Sequence, residues 1–130
     1  MTSEVARSRN RSKPYTMVAM IWTGWNNGDH HSTGAGYGFK VTAADRDRHF
    51  KRTWRTVTIE LPSGDGLTIV EANVTKKTFW DPQCRELISK DIGRWMLARG
   101  HAPWPDGMPP RFEVVSLGDR RFRVDRRSAT

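Results

Sequence analysis

Cysteine is nearly absent: Cys84 is the single one in 130 residues. No internal disulfide can form, and a zinc site would need mostly His and carboxylate ligands. Leu, Ile, Val and Phe together number 24, or 18 % of the chain. With a net charge of +8, that approaches the composition of disordered chains. No run of 18 apolar residues occurs, so a transmembrane helix is not expected. Met1 to Pro14 also lacks the apolar middle of a secretory signal. These absences point to a soluble, cytoplasmic protein without a membrane partner, a metal or a cofactor. Against them stand six Trp and five Met, large side chains that give a one-domain chain ample area to bury.

The positive charge is unevenly placed. Residues 1–15 hold Arg7, Arg9, Arg11 and Lys13 against Glu4, and residues 111–130 hold six Arg against three acids. The centre, 16–110, has 12 basic and 10 acidic residues and is nearly balanced. Its one concentration is Arg46, Arg48, Lys51, Arg52 and Arg55, interrupted by Asp47.

Residues 1–14 have no apolar period and read as a flexible basic tail, followed by a single domain over 15–125 and a flexible basic C-terminus over 126–130. YTMVAMIW, from Tyr15 to Trp22, is apolar on both alternating faces, as in a central strand covered on both sides. Gly24 to Gly38 has five Gly in 15 residues and reads as a long loop. Tyr37 to Val41 reads as a short strand. Thr42 caps a brief helix ending near Phe50. Trp54 to Leu61 alternates cleanly, PSGDG makes a hairpin connection, and Leu67 to Val74 answers as the partner strand. The apolar phase of that partner changes between Ile69 and Val70, which predicts a bulge or two-sided burial.

Pro82 to Arg99 carries the strongest local pattern. Asp81 is placed as its cap, Gly100 as its exit, and Cys84, Leu87, Ile88, Ile92, Trp95 and Met96 fall on one helical stripe. Glu86 and Lys90 form an i, i+4 pair, and Gly93 predicts a close approach to a strand or a ring. HAPWPDGMPP, His101 to Pro110, is irregular, and Arg111 to Leu117 with Arg121 to Asp125 makes a final hairpin. The expectation is therefore an α+β domain. It has a mostly antiparallel sheet of about six strands, flat or strongly curled, with one long helix packed on it.

Two segments carry candidate sites. In the glycine-rich loop, Trp25, Asn26, Asn27, Asp29, His30, His31, Ser32 and Tyr37 supply donors, acceptors and a proton carrier, and glycines let backbone amides approach a ligand. The spacing fits neither a Walker loop nor a dinucleotide fingerprint. Asp29 with His31 is the better metal pair, because adjacent His side chains point apart in extended chain, but further ligands would have to come from His49, His101 or Cys84. The second segment interleaves charge and rings: Arg46, Arg48, Lys51, Arg52, Trp54 and Arg55. Arg planes and aromatic faces stack on unpaired bases while charge follows the phosphates; a solvated helix edge would look the same. Asp65 and Glu71 resemble a nuclease pair only in part, since Asn73 stands where a lysine is needed.

The leading expectation is a small non-enzymatic nucleic-acid-binding protein using its basic tails and the 46–55 segment. One alternative is a small-ligand binder or enzyme with its site in loop 24–38. A further one is a protein-interaction module presenting Trp104 between prolines.

Overall fold

Val57, Ile59 and Leu61 alternate with Thr56, Thr58 and Glu60, and this period of two fixes one inward and one outward face. In the computed structural model, which describes residues 19–128, these residues form a strand whose apolar face is buried. Seven strands build a single sheet: β1 (Ala19–Asn26), β2 (Tyr37–Lys40), β3 (Thr56–Ser63), β4 (Gly66–Asn73), β5 (Glu86–Ile88), β6 (Arg111–Gly118) and β7 (Arg121–Arg127). Their order is β4-β3-β7-β6-β1-β2-β5. The sheet curls until its edges, β4 and β5, come into contact, which makes a nearly closed barrel. Among the described residues, two short helices, α1 (Ala43–His49) and α2 (Lys90–Ala98), and a 3-10 turn at Lys77–Trp80 complete it. No helix among the described residues is long and apolar enough to cross a membrane. The expected tail over 1–14 lies outside the described residues.

The core is aromatic. Trp22 packs on Phe39 and Phe122, with ring centroids 5.4 Å apart in each case. Phe50, at the end of α1, stacks on Phe122 at 4.7 Å and meets Phe79 of the 3-10 turn. Trp95 of α2 reaches Phe39 and Phe112, and its indole N–H donates to the Pro62 carbonyl at 2.7 Å. Large rings fill the barrel that the scarce branched aliphatics could not.

This architecture corrects the expected six-stranded antiparallel sheet with one long helix. The sheet has seven strands and is mixed, because β3 and β7 pair in parallel. That pairing joins segments separated by some sixty residues and leaves no hairpin signature in the sequence. The long helix over 82–99 is instead β5 followed by α2. Asp81 caps a local turn, its carboxylate accepting from Gln83 N at 2.7 Å. Arg85 then takes a left-handed φ of 58°, which an α-helix does not accommodate. The helix starts only at Lys90, where Ser89 Oγ accepts from Asp91 N. Leu87, read as part of a helical stripe, is buried from a strand paired with β2. Glu86 pairs with Lys40 at 3.6 Å, not with Lys90.

No bulge explains the phase change in β4. Strands β3 and β4 pair residue for residue from Thr56↔Asn73 to Ser63↔Gly66. Leu67 and Ile69 lie on the outer face, 47 % and 52 % exposed. Strand β7 continues through Arg127, with Arg126 paired to Glu113 at 2.9 Å and Ser128 N donating to Arg111 O.

Candidate nucleic-acid interface and the glycine-rich loop

Strand β4 ends in a run with no apolar period, TKKTFWDP, and the fold returns that run to the basic segment. Val74 N donates to Arg55 O at 2.9 Å. Phe50 and Phe79 pack at 5.1 Å. Arg46 Nη1 donates to the carbonyls of Phe79 and Asp81 at 3.2 and 3.0 Å. Residues 46–55 and 74–82 thereby form one surface, with Trp80 at its centre. The Trp80 indole is held by its N–H bond to Val74 O and by an edge contact with Phe79. The Arg52 guanidinium sits 4.6 Å from the Trp80 ring centroid, and that of Arg46 sits 5.4 Å away.

Arg48, Lys51, Arg52 and Arg55 of the expected set are exposed, as is Lys77. Arg46 is 6 % exposed, and its Nε also bonds Asp47 Oδ1 at 3.0 Å. It ties α1 to the 3-10 turn and is not open to a phosphate. Trp54 is half-buried against Phe50. Sequence reasoning missed Trp80 and the adjacent Lys76 and Lys77 as members of this surface. The available signal was a lysine pair followed by two rings in a segment with neither helical nor strand period.

The glycine-rich loop turns most of its polar groups on itself. Asn26 Oδ1 accepts from Gly28 N at 2.8 Å, and Asn27 N donates to Gly36 O at 2.9 Å. A Cβ on Gly36 would meet the Asn27 amide at about 2.6 Å, so the loop closes tightly there. Trp25 remains in β1, paired with Gly38 and half-buried. The His30 imidazole lies 2.6 Å from the Tyr37 hydroxyl and 3.0 Å from Asn26 Nδ2. Trp104 meets His30 edge-on at 4.9 Å and packs on Tyr37 at 5.7 Å. Tyr37 is fully buried, and burial pushes its phenol above the ordinary range. Trp104 thus packs inward from the proline segment and is half-buried.

Asp29, His31 and Ser32 stay outside that knot and are exposed. Asp29 and His31 approach to 3.9 Å, but among the described residues no group of three His, Cys, Asp or Glu side chains is gathered as a metal site would need. Near the proline segment, His101 lies against Trp95 and Phe112. Burial, then the charges of Arg127 and Arg99, lowers its pKa and favours the neutral ring. Comparison with known proteins gives no match: no family model, no curated protein and no solved structure aligns with the chain.

Proposed function

We propose that the protein binds nucleic acid without enzymatic chemistry, through the surface formed by residues 46–55 and 74–82. The observation that carries this reading is the juxtaposition of the two segments by the Val74–Arg55 bond. Besides the buried Arg46 they hold six cations against Asp47 and Asp81, around an indole already engaged by guanidinium groups. Cations neutralise phosphates, while Arg and Trp planes offer stacking faces. The basic residues at both chain ends add to the same charge. Cytoplasmic action belongs to the proposal.

The test is binding of a labelled mixed-sequence oligonucleotide as salt rises, by the full chain and by a variant carrying Arg48→Gln, Arg52→Gln and Arg55→Gln. Each lost phosphate contact should reduce the salt slope by about 0.7 to 0.9. Absence of binding at low salt, or an unchanged slope in the triple variant, overturns the proposal.

A further inference from the structure

Beside Trp80 the basic surface opens into a cleft of about 480 Å³ lined by Arg52, Thr75, Lys77, Trp80, Asp81 and Pro82. That volume lies within the usual range for small-ligand sites. We propose that this cleft receives one unpaired base bearing an exocyclic amino group, which makes the ligand single-stranded nucleic acid. The inference rests on the nucleic-acid reading above and deepens it.

Four features of the cleft select the occupant. Its indole is fixed before any ligand arrives, through the Trp80 N–H bond to Val74 O and the edge contact with Phe79. The exposed Arg52 guanidinium already lies 4.6 Å over that ring, so its outer face is the flat surface open to a base. Planes of this kind hold bases whose faces are free, and a duplex keeps its faces stacked. The exposed Lys77 on the rim supplies a cation for the adjoining phosphate.

The fourth feature sets the base. Asp81 is the one carboxylate lining the cleft, and the bond from Gln83 N to its Oδ1 orients it. An ionised carboxylate only accepts hydrogen bonds and keeps lone pairs beyond the one Gln83 uses. It therefore favours an N–H edge and disfavours a carbonyl edge. Cytosine and thymine make the cleanest comparison, being rings of one size that differ in N4–H₂ against O4, a difference carboxylates read in favour of cytosine.

The experiment measures fluorescence anisotropy of labelled oligo-dC, oligo-dT and a mixed-sequence duplex with the full chain at one low salt concentration. It is repeated with Asp81→Asn, whose amide presents a donor as well as an acceptor. The expected result is oligo-dC bound about tenfold more tightly than oligo-dT, a ratio of 1.4 kcal/mol, and more tightly than duplex. In Asp81→Asn the preference should collapse towards unity. Equal affinity for oligo-dC and oligo-dT, or a preference that Asp81→Asn leaves intact, overturns the inference while salt-dependent binding would keep the broader reading. Duplex bound as tightly as oligo-dC also overturns it. No binding of any oligonucleotide overturns both. The wild-type comparison decides the matter alone if Asp81→Asn does not fold.

Discussion

Gly34 and Gly93 meet backbone to backbone: a Cβ on Gly93 would overlap the Gly34 carbonyl oxygen, and a Cβ on Gly34 would stand about 2.7 Å from Lys90 O and Arg94 N. The glycine-rich loop is docked on α2 by this contact. The close approach expected at Gly93 exists, but its partner is the loop and not a strand or ring. Gly93→Ala, which in an exposed helix would gain about 1 kcal/mol, should here lose about 1–3 kcal/mol by overpacking. Denaturant midpoints at constant slope measure the sign. A gain would show that the loop lifts off the helix without cost.

The two adjacent histidines should separate. His30 bonds a buried tyrosine and carries Trp104 against its ring, so His30→Ala should cost about 1–3 kcal/mol by leaving the Tyr37 hydroxyl unsatisfied. His31 is exposed with only a 3.9 Å approach to Asp29, and His31→Ala should stay within about 0.5 kcal/mol. Chemical denaturation of the two single variants checks the ordering; equal effects would mean that His30 does not brace the loop.

Acid should weaken the fold through Glu60. The residue is 6 % exposed on the outer barrel face, and its carboxylate accepts from Arg121 at 2.7 Å and from Arg123 at 3.0 Å. The Arg121 hydrogen bond, opposed by burial and reinforced by Arg123, holds its pKa below the ordinary value. The folded state therefore binds this proton less readily than the unfolded chain. The resulting stability is full above the unfolded carboxyl pKa of about 4.3 and is lost as pH falls through the folded value. Glu60→Gln should lower stability at neutral pH by about 1–2 kcal/mol, less than a fully buried pair because both arginines are 43 % exposed. It should also flatten the decline of melting temperature on acidification. Parallel acid profiles for the two proteins would show that Glu60 does not carry the linkage.

Elements held by local chemistry were legible in the sequence. Thr42 caps α1, its Oγ1 accepting from Asp45 N, as its place before the helix predicts. The β3–β4 hairpin follows from alternation and the Gly-rich turn. What stayed hidden depended on distant partners. Ile88 and Ile92 keep a helical spacing that the chain breaks at Ser89, because β2 offers Leu87 an edge to pair with. The site divides in the same way. Arg52 and Arg55 were visible as charge, whereas Trp80 joined them only once Val74 was bonded to Arg55.

Arg46 and Arg52 give the sharpest contrast, since both face Trp80 and composition cannot tell them apart. Arg46 is buried and donates to two carbonyls and to Asp47. Replacing it with Gln removes the donor from the Phe79 and Asp81 carbonyls and loosens the contact of α1 with the 3-10 turn. Loss of one satisfied buried group costs about 1–3 kcal/mol, so Arg46→Gln should destabilise by at least about 2 kcal/mol. Arg52 is exposed and meets the indole by a cation–π contact, which at such a site contributes about 0.5–1 kcal/mol. Arg52→Gln should therefore melt within a few degrees of the parent while binding single-stranded oligonucleotide more weakly and with a shallower salt slope. Thermal melts and salt titrations of the two variants together give the answer. If Arg52→Gln destabilises the protein as much as Arg46→Gln should, the guanidinium over Trp80 is part of the scaffold and not a stacking face offered to a base.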